Sequence, residues 1–553
     1  MRASDETGKV KRAIVKIGRR LGALRQSGRA VLSVLCALAF LAACDSTTTG
    51  EPGPGVVSAN KGQGFIGGAT ADEPRAALVA RDVLAAGGTA ADAAVALYFA
   101  LAVTYPATAS LGGGGSCLIY RPGRKLGTDT TEVVEFAARA STVEGRIGDR
   151  PSAVPTAIRG MAALHARYGA LRWENLLAPA ENLARFGFEM SRAFAHDLSL
   201  AAGPLLEYDG ARRLFADTKG DPLGEGDSIA MLDLAGVLAQ LRLRGPGDFY
   251  TGALALRLVA AVTAAGGTLS LEELRVVMPA WRATATLAVG NETLHTAPPP
   301  SEGGLAAARL FAALADEDRY TKAGADERPH LVAEASLRAR DARGASLDPA
   351  SVRTLMTGYD PVRHQPARRD EAHPPVNPAG TSFAVVDRAG MAVGCTLSLN
   401  NLFGTGRVAP GLGIVLAAAP RGADPATAFT PAMLVNHNSH QVFLVVAASG
   451  GAGAPSALAA VLRGALIERT PLAAALAAPR LHNGGVPDRT YVEPGLAGAP
   501  AKVLQERGHI LEVVHEIGRV NAIACLGGLP RSPQTCAFGT DPRGFGLGVG
   551  GVY

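Results

Sequence analysis

Apolar and polar positions follow two different rhythms along this chain. From Glu73 to Pro106, the stretch EPRAALVARDVLAAGGTAADAAVALYFALAVTYP carries small apolar residues at helical spacing, interrupted at Gly87-Gly88. That pattern predicts two Ala-rich helices that pack closely in the core. SLGGGGSCLIY, Ser110 to Tyr120, predicts a glycine hinge running into a short apolar strand. Residues 151–280 keep a helical period through TAIRGMAALHARYG, WENLLAPAENLARFGF, SIAMLDLAGVLAQLRLRG and GALALRLVAAVTAAGG. TAPPPSEGGLAAARLFAAL, Thr296 to Leu314, reads as a Pro/Gly turn feeding another helix. After Ala379 the rhythm shortens. TSFAVVD, MAVGCTLSL and QVFLVVAAS are rich in β-branched residues between turn signals and predict strands. APSALAAVLRGALIE predicts a helix, and two more short strands close the chain.

The order is therefore a helix-rich portion, 63–380, and a β-rich portion, 381–553. They are joined by the polar, Pro-containing HPPVNPAG, His373 to Gly380. The pair Thr381-Ser382 sits on that junction. No internal repeat is visible.

Composition permits a large core: 553 residues, 48% apolar, 19% charged and only 5% aromatic, with 67 Gly and 35 Pro. The apolar share is too high for disorder, and small-residue packing with many turns is expected. The formal charge is +5, and much of it lies in the first 29 residues. There Arg2, Lys9, Lys11, Arg12, Lys16, Arg19, Arg20, Arg25 and Arg29 face only Asp5 and Glu6. The remainder is near neutrality, which argues against a nucleic-acid partner.

The basic start is followed by AVLSVLCALAFLAAC, Ala30 to Cys44, a run too short for a comfortable membrane span but suited to a secretory signal. Leu41-Ala42-Ala43-Cys44 resembles the bacterial lipoprotein lipobox, which implies cleavage before Cys44 and lipid on its sulfur. The expected organisation is thus a signal over 1–44, a Thr/Gly/Pro-rich flexible tether over 45–62, and a protein anchored in the cell envelope, on the periplasmic or extracellular side. Cys117, Cys395, Cys525 and Cys536 remain. None stands in a spacing that would hold zinc, so neither a metal nor a cofactor is expected. Cys525 and Cys536 either bridge two neighbouring strands or stay as two buried thiols.

Three stretches carry candidate chemistry. In Gly380-Thr381 the hydroxyl can attack the preceding carbonyl, and the ester formed hydrolyses to free an α-amine that serves the same hydroxyl as base. Thr at a strand start is also ordinary turn chemistry. VVAASGGAGAPSALAAVL, Val445 to Leu462, resembles a nucleophile elbow with Ser449 at its tip. The chain lacks the βαβ units that precede such an elbow, so a turn donating backbone amides is preferred. GGGGSC, Gly112 to Cys117, has no following Lys and is no P-loop; Cys117 has no local base and reads as a buried thiol.

Several of these stretches, in this order, resemble the γ-glutamyltransferase family. They are VLAAGGTAADAAVALYFALAVTYPATASLGGGGSCLIY, YGALRWENLLAPAENLARFGF, GPGDFYTGALALRLVAAVTAAGGTLSLEEL, TAPPPSEGG, GTSFAVVDRAGMAVGCTLSLNNLFGTG and GTDPRGFGLGVGG. The similarity runs from about residue 60 to the end. It implies an N-terminal-nucleophile (Ntn) hydrolase fold, a four-layer αββα sandwich of the α+β class, cleaved into a large and a small fragment that stay partners. It also implies action on the amide bond of a small peptide-like substrate.

Where the family's nucleophile stretch reads Thr-Thr-His, this chain has Gly380-Thr381-Ser382. Without a gap the nucleophile position falls on Gly380; with one residue missing it falls on Thr381, with Gly380 the cleaved neighbour. Ser398 and Asn400 match supporting hydroxyl and amide positions, and the oxyanion pair falls near Gly453 and Ala454. The family's carboxylate-clamping Arg falls on Ala137. Its acidic amine-binding residue falls near Arg421, with Ala417 and Ala418 replacing two Asn. The resemblance therefore implies a hydrolase or acyltransferase of altered specificity acting through Thr381. The rival is an uncleaved, inactive member serving as an envelope binding or scaffold protein.

Overall fold

The computed structural model describes residues 56–58, 64–125, 127–143, 150–342, 344, 346–366, 379–420, 429–485 and 487–552. All belong to one compact unit, Pro52–Tyr553. The signal, Cys44, most of the Pro-rich junction and Arg421 lie outside the described residues.

Two seven-stranded sheets form the centre. In the first, the strand order is Leu547–Val552, Phe65–Ala71, Gly380–Asp387, Ala392–Ser398, Gly114–Arg121, Thr130–Phe136 and Ala280–Ala283. In the second it is Val56–Ser58, Cys536–Thr540, Arg519–Leu529, Gln441–Ser449, Ala432–Asn436, Glu292–Thr296 and Ala285–Val289. Every neighbouring pair within both is antiparallel.

Period-two alternation sends each strand's side chains to two different interiors. Ala384, Val386 and Leu118 of the first sheet meet Met433, Val445, Ile523 and Phe538 of the second in one core. Phe383, Val385, Ile119 and Val393 face the opposite way, into a core with the helices of the first half. On the far side, Leu434, Leu444, Val446 and Val520 pack under helices Gly303–Ala315, Arg328–Asp341 and Ala454–Leu462. Three cores separate four layers, and the expected αββα sandwich is what forms.

The two Ala-rich helices are Pro74–Ala85 and Ala90–Thr104. Glu73 caps the first by accepting from the Ala76 amide at 2.8 Å. Thr89 and Asp92 form a capping box on the second. All residues of Ala90–Thr104 are buried, which explains why its apolar character runs all the way round.

The large-fragment and small-fragment portions, 63–380 and 381–553, are interleaved: both sheets draw strands from both sides of Gly380–Thr381, at the start of the strand Gly380–Asp387. Sheet pairing is non-local, so a change of local rhythm does not mark a change of body. Two expectations need correction. The presumed tether contains a strand, Val56–Ser58, which pairs with Cys536–Thr540 at the open edge of the second sheet. Cys117 is not a free thiol. It faces Cys395 directly across two antiparallel strands, with Cα atoms 4.1 Å apart, and the two are bonded. Their separation of 278 residues hid the pairing from local spacing. Cys525 and Cys536 bridge adjacent strands, the first of the two readings left open.

Candidate active site

The strand Gly380–Asp387 lies between Phe65–Ala71 and Ala392–Ser398, with Gly380 opposite Ser398 and Thr381 opposite Leu397. A Cβ placed on Gly380 would sit 3.7 Å from the Ser449 Cβ in the facing sheet. Ser382 points the same way and donates to the Ala447 carbonyl at 2.9 Å. Thr381 therefore points to the other face. It is fully buried, and its hydroxyl donates to Asp72 Oδ2 at 2.7 Å.

Asp72 directly follows the strand Phe65–Ala71. Its other oxygen accepts from Asn521 Nδ2 at 2.7 Å, and the Ser382 amide approaches Oδ2 at 3.4 Å. Burial pushes the Asp72 carboxyl above its ordinary value, against the opposing pull of Arg519 and the hydrogen bonds from Thr381 and Asn521. Arg519 is itself fixed by Asp197 at 3.1 Å and Glu516 at 3.2 Å. Sequence reasoning missed Asp72, Asn521 and Arg519. The only local signal was an acidic pair ahead of a helix start, which reads as capping, and Glu73 alone does the capping.

Ser398 and Asn400 do gather at the Gly380 end. Ser398 Oγ donates to the Ala379 carbonyl at 3.2 Å and accepts from the Asn400 amide at 2.8 Å. Asn400 takes a left-handed backbone, φ 65°, which Asn tolerates better than most residues. Its Nδ2 donates to the Ala418 carbonyl at 2.8 Å.

The turn after Ser449 begins beside Gly380. Gly450 has φ 121° and packs so tightly on Gly518 that a Cβ would lie 2.5 Å from the Gly518 Cα, so only glycine fits. Gly453 and Ala454 follow, at the N-terminus of helix Ala454–Leu462, where amide groups and the helix dipole favour negative charge. Two of the histidines downstream of Ser449 are engaged elsewhere: His482 Nδ1 meets Ser456 and His509 Nδ1 meets Thr490.

Ala417 and Ala418 are buried beside Asn400, Ala137 is half-buried, and Arg139 is exposed. Among the described residues the one cluster with metal-ligand geometry is His330, Glu334 and His509, on other elements. Local spacing offers only two of the three, His330 and Glu334 four residues apart, because His509 lies far along the chain.

A sequence profile described as gamma-glutamyltranspeptidase matches residues 76–550. The glutathione hydrolase proenzyme of Pseudomonas aeruginosa is 30% identical, over 87% of this chain and 94% of that protein. The glutathione hydrolase proenzyme of Escherichia coli is 27% identical, over 80% and 85%. The crystal structure of a cephalosporin acylase from Bacillus halodurans superposes with a TM-score of 0.72 at 22% identity, covering 91% of this chain and 99% of that one, a likeness of fold. With the profile spanning most of the sequence, the chain belongs to the gamma-glutamyltranspeptidase family and carries its Ntn-hydrolase fold.

Proposed function

We propose that the protein is a self-processing amide hydrolase or acyltransferase whose nucleophile is Thr381. The observation that carries this reading is the 2.7 Å hydrogen bond from the Thr381 hydroxyl to Asp72. A carboxylate whose proton affinity is raised by burial is placed to take the hydroxyl proton. Thr381 Oγ1 then bonds to the Gly380 carbonyl carbon, the Gly380–Thr381 C–N bond breaks, and the leaving nitrogen takes up a proton. Water hydrolyses the ester, leaving a Gly380 carboxylate and a Thr381 with a free α-amine. In later turnovers that amine is the base, and the amides of Gly453 and Ala454 hold the oxyanion once the Thr381 side chain, released by the cut, turns toward them. The crowding at Gly380 supports the same assignment. A Cβ there would lie 2.8 Å from the Leu397 carbonyl oxygen, so position 380 suits the cleaved neighbour better than a nucleophile.

A second reading is favoured by one observation: Thr381 is buried and faces away from the turn that starts at Ser449. On it the protein stays uncleaved and acts as an envelope binding or scaffold protein. Intact mass and N-terminal sequencing of the purified protein under reducing conditions separate the two. A new N-terminus at Thr381 supports processing, and a lone uncut chain after long incubation supports the scaffold.

Specificity follows from the residues that stand at the head-group positions. An α-amino acid head group carries both charges, and removing them from water requires paired partners. Ala137, Ala417 and Ala418 offer none. Losing two charge-assisted contacts at about 1.5–3 kcal/mol each weakens binding by roughly 10²–10⁴-fold. Turnover of glutathione or γ-glutamyl anilides is therefore expected to be poor even in processed protein, with acyl groups lacking the zwitterion preferred. Efficient glutathione turnover at micromolar concentration, lost in Thr381→Ala, would overturn this.

The lipobox-like Leu41-Ala42-Ala43-Cys44 supports anchoring in the envelope through Cys44. Cys44→Ser is expected to release the protein from the membrane fraction or leave its signal uncut. Unchanged fractionation with an unchanged mature mass counts against lipidation.

A further inference from the structure

Helix Arg328–Asp341 carries His330 and Glu334 four residues apart, so their side chains leave the same face. His509, just beyond helix Ala499–Glu506, meets them with Nε2 at 2.7 Å from His330 Nδ1. One ligand atom from each of the three lies within 4.8 Å of the others, and all three residues are buried.

The rest of each side chain is already held in place. His330 Nε2 is 2.9 Å from the Asp360 carbonyl, which can only accept, so the ring carries its proton there and turns the Nδ1 lone pair inward. His509 Nδ1 is 2.9 Å from the Thr490 hydroxyl. Glu334 Oε1 is 2.5 Å from His364 Nδ1 and accepts from the Gln365 amide at 3.3 Å, Oε2 accepts from Arg338 Nη2 at 3.3 Å, and His364 Nε2 is in turn 3.1 Å from Asp488. Metal-ligating imidazoles are oriented in this way, the far nitrogen fixed by a carbonyl or another oxygen.

We propose that His330 Nδ1, His509 Nε2 and the Glu334 carboxylate form a binding site for one divalent ion of the zinc class. Two imidazoles among the donors disfavour calcium and magnesium, which take oxygen. Without the ion, the facing nitrogens share one proton, donated by His509 Nε2. Binding moves that proton to His509 Nδ1, where the Thr490 oxygen accepts it, so the ring stays neutral. The two nitrogens must part from 2.7 Å to about 3.3 Å, the distance set by two zinc–nitrogen bonds at a tetrahedral angle. A carboxylate offers about four lone-pair sites, enough to keep His364, Gln365 and Arg338 while bonding the ion. Asp488, with its side chain 27% exposed, connects the cluster through His364 to solvent. The ion would clasp helix Arg328–Asp341 to the loop bearing His509, independently of the chemistry at Thr381.

The test uses the full-chain protein stripped by chelator, titrated with Zn²⁺ against a chromophoric competitor and with Co²⁺ as a spectroscopic probe. One ion per chain is expected, bound in the micromolar range or tighter, with the strong visible absorption of four-coordinate cobalt. Glu334→Gln or His509→Gln is expected to weaken binding at least about 100-fold. His437→Gln, which alters a separate cluster with Asp129 and His295, should leave it unchanged. If the ligand variants do not fold, the wild-type cobalt spectrum decides alone. A spectrum like that of aqueous Co²⁺ at excess metal, or undiminished binding in folded Glu334→Gln and His509→Gln, overturns the proposal.

Discussion

Thr381→Ala is expected to abolish processing. The variant should remain one uncut chain on a reducing gel, while the wild type matures to two, the smaller beginning at Thr381. Turnover of any amide substrate should fall by on the order of 10³-fold or more, since the proposed mechanism takes its attacking atom from Thr381. The fold should survive. Without the hydroxyl, Asp72 still accepts from Asn521 and the Ser382 amide. Alanine retains Thr381's Cβ and its place in the strand ladder. Thr381→Ser should recover part of the cleavage, because it restores an oxygen at the same site. A Thr381→Ala chain that is cut at the same bond as the wild type would remove Thr381 from the mechanism.

Asp72→Asn should slow the cleavage of the precursor by about 10²–10⁴-fold, the usual scale for losing a positioned base. The pH profile is the sharper readout. A base must be deprotonated to act, so the wild-type rate is low in acid and rises as pH climbs through the Asp72 pKa. Burial raises that pKa, which moves the rise to higher pH than an ordinary aspartate would give. Asp72→Asn should lose that limb and leave a slow, flat profile. A purely structural Asp72 would change the amount of folded protein without removing the pH limb, and that outcome would sink the base assignment.

Much of the architecture was legible because it is local. Gly87-Gly88 splits two helices, Gly114–Arg121 is a strand, and the three apolar runs after Ala379 are strands, each as its own rhythm indicates. What was not legible depends on pairing across long separations. Val56–Ser58 lies in a polar, Gly/Pro-containing stretch and becomes a strand only because the second sheet has an open edge there. Cys117 finds Cys395 because their strands are neighbours. The site divides the same way. Ser398 and Gly380 are paired by a hairpin and could be associated from sequence. Asp72 is 309 residues from Thr381, and it reaches the hydroxyl only because the strand before it lies alongside Gly380–Asp387.

The Cys117–Cys395 bond has a consequence for any cut at Gly380–Thr381. One cysteine lies before that peptide bond and the other after it, so cleavage of the backbone would leave the two fragments as a single covalent molecule. Both sulfurs are in fully buried residues, shielded from reductants while the sheets hold. Dilution could not part the fragments, and rejoining after partial unfolding would be unimolecular, at an effective concentration set by the tether and not by the amount of protein present. On a gel run without reductant, cut and uncut protein would both travel as one band.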